Sequence, residues 1–391
     1  MQILKNRIIR FFKKKVFFIL VVVVIQSCVT PFSIKSIEVE QGTLAVEGDI
    51  IAGGDTKIYL NMLESLSVIV EEKKFIIDAL VWVESAEGEK LTGRLVKEEH
   101  EYPYYLIDTK TLSLDNQYKL CINLTNGRVY KSDFLTPLQA SVIDSIEYEV
   151  NDTETAISFF VSSHGDSDSS PYHKFNFIED WEFNMDYRAD GYYDTIRNMV
   201  VMFEWPFENV YTCWGSARSR EIYVESTAHL SEHIVYKKKL HTIYSVNHKI
   251  SILYSPEVYH MSISKEAYMY WSALMKYTEE VGTIFTPQLD WLKGNIHCVS
   301  HPDLRVIGYI SAGTISAQRI FVNAFDIQIY TRFERSDCAP MLLRNESRYK
   351  YYVRDGVQIY RMPDILMSTD CIDCRVWGTK NKPSFWPNDH I

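Results

Sequence analysis

The segment YKLCINLTNGRVYKSDFL, residues 118–135, decides the fold class. Two runs of alternating apolar side chains flank Asn126-Gly127. Alternation with period two puts apolar groups on one face of a strand. Asn-Gly supplies the positive-φ positions of a tight type I′ turn, the strongest short hairpin signal. A β-hairpin is therefore expected here. The same signs recur upstream. Residues 36–61 are cut by Gly42, Gly48 and the Gly53-Gly54-Asp55 turn, and ALVWVESAEGEKLTGRL (79–95) turns near Glu87-Gly88. Short strands at this spacing, with no helical period, predict an immunoglobulin-like β-sandwich over 36–137, ending at Thr136-Pro137.

Residues 138–391 predict a second, larger β domain. VIDSIEYEV (142–150), AISFFVSS (156–163), KFNFIEDWEFNMDY (174–187), REIYVEST (220–227), VNHKISILYSPEVYHMSIS (246–264), LRVIGYISAG (304–313) and QRIFVNAFDIQIY (318–330) read as strands. One helix interrupts them, over 265–281, with Ser264 as its N-cap and Gly282 beyond its end. Ala267, Trp271, Leu274, Thr278 and Val281 share one face of it and are expected to cover a sheet. The fold class is thus mainly β: two sandwich-like domains, the second with one amphipathic helix and a disulfide-pinned C-terminal tail.

The N-terminus says where such a chain would reside. Six basic residues (Lys5, Arg7, Arg10, Lys13, Lys14, Lys15) precede an apolar run from Val16 to Ile25. That run is shorter than the roughly 20 residues of a spanning helix and has the plan of a signal peptide. It ends Ile25-Gln26-Ser27-Cys28, a relaxed lipobox. A signal peptide over 1–27, lipidation of Cys28 and a tether over 28–35 are expected. The alternative is a plain signal peptide, or a short anchor, with an incidental cysteine. Without the six basic leader residues, 35 basic face 51 acidic residues, a net charge of −16. Such acidity argues against nucleic acid and anionic headgroups as partners.

Seven cysteines leave six once Cys28 is set aside. Cys121 lies in a strand and is expected to be a buried free thiol. Cys371 and Cys374 form C-x-x-C and are expected in structural disulfides, with each other or with Cys213 and Cys338.

No motif carries a strong catalytic signature. HLSEH (229–233) matches an inverted zinc-hydrolase pattern, but a strand runs straight into it where a helix is required. His297 and His301 lie in a loop-like segment closed by Pro302, and Asp166 and Asp168 lack the Gly and Glu of a calcium loop. Neither a metal, a cofactor nor a catalytic residue is assigned. Aromatics make up 14% of the chain, with 26 Tyr and 8 Trp, enough to furnish both core and recognition faces. Trp181, Trp205, Tyr211 and Trp214 are the candidate ligand-binding residues.

The order of motifs adds a family resemblance. CVTPF, LAVEG and a Gly-Gly turn come first; FIEDWEF, CW and a strand with Ser-Thr follow. SISKEAYMYWSALMKYTEEVGTIFTPQ, GNI, VIGYISAG, RIFV and CIDCRVWGTKNKPSFW complete the order. This resembles, over nearly all of residues 28–391, the Bacteroidota lipoprotein family called domain of unknown function 4249. The resemblance implies an outer-membrane lipoprotein whose gene lies beside that of a TonB-dependent receptor. It carries over no catalytic residue. Cys28, Cys213, Cys338, Cys371 and Cys374 fall where the family places cysteines; Cys121 and Cys298 are peculiar to this chain. The expected role is a non-enzymatic accessory to a TonB-dependent receptor in nutrient capture or uptake. The alternatives are a structural or adhesive envelope lipoprotein without a small ligand, and a hydrolase whose site carries no familiar motif. The acids that follow the lipidated cysteine in some surface-exported lipoproteins are missing from VTPFS, so periplasmic and cell-surface faces both stay open.

Overall fold

A computed structural model describes residues 42–63, 74–98, 101–204, 209–219, 221–245, 247–280, 293–327, 338–342, 357–361 and 365–390. The expected signal peptide (1–27), Cys28, the expected tether (28–35) and Trp205 lie outside the described residues. One compact unit comprises 43–62 and 74–391; a second, 1–42 with 63–73, contributes only Gly42 and Leu63 to the described residues.

The molecule is mainly β. In the N-terminal third the strands are β1 (Thr43–Glu47), β2 (Ile50–Ile51), β3 (Gly54–Leu63), β4 (Lys74–Phe75), β5 (Leu80–Ser85), β6 (Lys90–Thr92), β7 (Arg94–Val96), β8 (Tyr104–Thr109), β9 (Tyr118–Asn123) and β10 (Val129–Ser132). The expected hairpin is β9–β10, with Val129 opposite Asn123, but its turn is not type I′: Gly127 alone has a positive φ, 84°, and its N–H bonds the Leu124 carbonyl at 3.0 Å. Two sheets form. One runs β1-β3-β8-β7 and the other β10-β9-β5-β6. Leu44, Ile58 and Ile107 from the first meet Val81, Leu120 and Ile122 from the second in one core. Each such side chain contributes about 1.5–3 kcal/mol on burial.

These sheets are not finished by the N-terminal third. β20 (Ile296–Cys298) pairs antiparallel with β10, β21 (Val306–Ile307) parallel with β1, and β22 (Ala312–Gly313) parallel with β2. Residues 304–313 were expected as a strand of the second domain; they close the first sandwich instead. The apolar pattern that marks them as buried strands does not say which sheet they join. Gly308 makes the approach possible: it sits at φ 137°, and a Cβ there would lie 2.2 Å from the Val46 carbonyl oxygen. Gly308→Ala is expected to cost roughly 3 kcal/mol in a denaturant titration, because backbone has to move. A cost below 1 kcal/mol would show that this contact is soft.

The second sandwich uses β11 (Val142–Val150), β12 (Ala156–His164), β13 (Tyr172–Asn184), β14 (Gly191–Asp194), β15 (Met199–Met202), β16 (Thr212–Arg218), β17 (Tyr223–Ser226), β18 (Ile234–Tyr244), β19 (Leu253–Ser262), β23 (Ser316–Arg319) and β24 (Val322–Asn323). The sheet β11-β12-β18 packs on the sheet β16-β13-β19-β23. β14 and β15 form a separate hairpin. β18 was not expected, because Lys237-Lys238-Lys239 hides its alternation. The lysines belong to an edge strand, where they discourage pairing with other chains. Lys237 bonds Glu147 at 3.0 Å and Glu149 at 3.1 Å.

The helix α1 spans Lys265–Glu280, with Ser264 Oγ accepting from the Ala267 N–H at 3.1 Å. Ala267 and Tyr270 are its buried residues, whereas Thr278 is exposed and Val281 lies outside the described residues. Tyr270 Oη accepts the Gly308 N–H at 2.9 Å, which ties the helix to the returning segment. Lys174 reaches Asp49 at 2.7 Å and lies over Trp271, so the same helix edge links both sandwiches.

Candidate functional site

The chemistry of the chain concentrates on β13, and alternation splits it between two faces. His173, Phe175, Phe177, Glu179, Trp181 and Phe183 face the second sandwich core; Asp180 and Glu182 point the other way. Register extends both faces. Trp181 lies opposite Tyr254 and Gly215, and Glu182 opposite Trp214.

The expected aromatic residues therefore do not share one surface. Trp181 is buried, and its ring occupies the space a Cβ on Gly215 would need, 2.3 Å away. Lys249 Nζ sits 4.6 Å from its centroid. Half-buried Tyr211 packs on the same core, while half-buried Trp214 belongs to the opposite face. Their spacing in the sequence says nothing of this, since adjacent strands and odd or even positions decide the face.

The inner face carries a polar seam. His173 and His260 are fully buried, with His173 Nδ1 3.0 Å from His260 Nε2. His260 Nδ1 lies 3.1 Å from the Ser141 carbonyl, which can only accept. His260 therefore carries its hydrogen on Nδ1, and its Nε2 accepts from His173 Nδ1. His173 Nε2 is left as an acceptor facing the Thr227 hydroxyl at 3.2 Å. Thr227 in turn faces His233 Nδ1 at 3.4 Å. Burial drives His173 down to about 4, helped by His233, and His260 down to about 3, helped by His173. Both rings are thus neutral at pH 7. The HLSEH motif enters here through His233 alone. Residues 228–232 are turn and bend, so His229 and His233 never share a helix turn.

Further along the same face, Glu179 accepts from Tyr254 Oη at 2.9 Å and from Lys249 Nζ. His241 Nε2 lies 2.7 Å from Tyr254 Oη. The His241 ring is stacked between Phe159 at 5.0 Å and Phe177 at 4.4 Å. Burial, then the Lys249 charge, lowers His241 to about 4.

The outer face is acidic. Asp180 pairs with Arg319 at 2.7 Å, and Arg319 also bonds Glu257 at 2.7 Å. Glu182 accepts from Trp386 Nε1 at 2.8 Å and meets His390 Nε2 at 2.6 Å, both from the C-terminal tail. FIEDWEF thus places three buried carboxylates on one strand, each with its own partner. Arg319→Met would leave Asp180 as a lone buried charge and is expected to cost about 3–5 kcal/mol, read as a shift in urea midpoint. A shift below 1 kcal/mol would show that water replaces the guanidinium.

Two disulfides fix this tail: Cys213–Cys374 and Cys338–Cys371. The two C-x-x-C cysteines bond outward and not to each other. Cys121 and Cys298 are free and buried, on strands β9 and β20. His297 lies in β20 and not in a loop, 3.1 Å from Asp133. Among the described residues no group of three or more His, Cys, Asp or Glu is placed to hold a metal ion. Among them also, no helix is long and apolar enough to cross a membrane.

With this geometry in hand, comparison with family models finds that Domain of unknown function (DUF4249) matches residues 29–319. The chain belongs to this family. The first sandwich with its returning strands β20–β22, α1 and the second sandwich as far as β23 lie within the DUF4249 match; β24 and the cysteines 338, 371 and 374 lie beyond it. No curated protein matches the chain.

Proposed function

We propose that this DUF4249 protein is an outer-membrane lipoprotein, anchored through acylated Cys28, that serves as a non-enzymatic accessory to a TonB-dependent receptor in nutrient capture or uptake. The observation that carries the reading is the disulfide pair. Cys213–Cys374 and Cys338–Cys371 hold the tail, and such bonds persist in oxidising compartments outside the cytosol. The lipobox-like leader ending at Cys28 agrees with that compartment. Apart from His241 Nδ1, which finds no partner among the described residues, the buried acids and histidines are matched within the fold, as structural groups are, which weighs toward binding rather than catalysis.

A second reading, a structural or adhesive envelope protein, is favoured by the β14–β15 hairpin. Its tip presents Ile196 at 94% exposure beside Met199 at 53%, and Met202 at 49% lies at the other end of the hairpin, opposite Gly191. Asp194 Oδ1 accepts from the Ile196 and Arg197 N–H groups, so this apolar tip is an ordered one. Exposed apolar side chains on an ordered element suit a protein partner.

Both readings share one test and part at another. Cells fed labelled palmitate should label the native chain and not Cys28→Ala; equal labelling of both would remove the anchor. Purification of a C-terminally tagged chain from its own host in mild detergent should then recover a TonB-dependent receptor in stoichiometric amount. Efficient extraction with no receptor would defeat the accessory role.

A further inference from the structure

The C-terminal tail lies on the acidic outer face as a ligand lies on a binding site. It makes one β-bridge, Trp214 and Thr379 exchanging backbone bonds of 2.9 and 2.8 Å. Gly378 permits that approach, since a Cβ there would lie 2.4 Å from the Trp214 carbonyl oxygen. Lys380 Nζ caps the Thr212 carbonyl at 2.6 Å. The next residues mostly face solvent, until Trp386 plugs the sheet at 4% exposure. Its indole and the His390 imidazole converge on Glu182, itself 3% exposed; these are the hydrogen-bond partners of that carboxylate among the described residues. A single buried aromatic anchor on the Glu182 carboxylate, with the neighbouring Phe385 ring under the Arg319 guanidinium at 3.8 Å and exposed residues around them, is the anatomy of a peptide interface. The face also has capacity the tail leaves unused. The Trp214 indole N–H is buried and finds no acceptor among the described residues.

We infer that the outer face of the β13–β16 sheet is a peptide-binding surface whose resident ligand is the chain's own segment 378–390, held by Trp386 and His390 and exchangeable for a segment of the same chemistry. This inference is independent of the transport reading. The Cys213–Cys374 bond sets the strap's local concentration, because it fixes the chain twelve residues before Trp386. A tether of that length gives an effective concentration of about 1 mM, so a peptide of about 10 µM affinity would be weakened about 100-fold by the resident strap.

The test uses the full chain in detergent and a fluorescent peptide, GTKNKPSFWPNDHI, copying residues 378–391. Trp386→Ala, its fold checked by near-ultraviolet circular dichroism, is expected to bind the peptide saturably. The native chain should bind it at least about tenfold more weakly, and a peptide with Ala for Trp should not bind. A folded variant that ignores the peptide, or equal binding by variant and native chain, overturns the inference. Should the variant not fold, hydrogen exchange on the native chain decides. The Thr379 and Trp386 amides should exchange at least about tenfold faster than those of β13, through local opening of the strap. Equal rates would make the tail part of the core and overturn the exchangeable site.

Discussion

Replacing Cys213 and Cys374 together by serine is expected to lower stability by about 5 kcal/mol, the chain-entropy value for a loop of this length. The bond joins residues 161 apart, against 33 for Cys338–Cys371. Closing the longer loop removes more freedom from the unfolded chain, so the second pair, replaced in the same way, should cost about 1 kcal/mol less. Double replacement avoids a leftover thiol that could pair wrongly. Guanidinium midpoints of the two double variants give the comparison directly. The reverse order would mean that native-state packing around Cys374 and Cys371, both fully buried, outweighs loop length.

Acid should unfold the protein well above the ordinary carboxylate range. His173 and His241 are lowered to about 4 and His260 to about 3, in each case chiefly by burial. A free histidine titrates near 6.5, so the unfolded chain takes up protons first as pH falls. The stability from these neutral rings is whole above pH about 6.5 and is lost progressively toward pH about 4, and for His260 toward about 3. At pH 5 each ring accounts for roughly 2 kcal/mol, and the three for several, against a typical total of about 5–15 kcal/mol. The slope of stability against pH near 5.5 should correspond to nearly three protons. His241→Phe keeps the aromatic stack between Phe159 and Phe177 and removes one titrating ring, so its slope should fall by about one proton. An unchanged slope would mean that His241 is hydrated and protonates in the folded state.

The two results rest on features of unequal visibility in the sequence. The β9–β10 hairpin was legible because Asn126-Gly127 and the flanking alternation act over a few residues. The helix was legible for the same reason, with Ser264 capping its start. Pairings made across long separations were not. His173 and His260 lie 87 residues apart, and only the antiparallel register of β13 with β19 brings them together. In FIEDWEF the acids sit at both odd and even positions, which by pattern alone reads as a half-exposed strand. Their burial comes from Lys249, Arg319 and the tail residues Trp386 and His390, three separate parts of the chain. β18 was missed because its lysine run masks the alternation of an edge strand. Trp181 and Trp214 looked like one recognition face because both are aromatic, yet the strand pairing sets them on opposite sides of a sheet.

The late strands β20–β22 put a clock on folding. A chain emerging at about 5–20 residues per second keeps β1, β2 and β10 waiting roughly tens of seconds for partners near residue 300. Through that interval the first sheets are left with open edges, the condition that invites wrong pairing with neighbours. A fragment stopping at residue 137 would stay in that state for good. The moment at which the N-terminal third becomes safe is thus set by the arrival of residue 313, 181 residues after the end of its own last strand at Ser132.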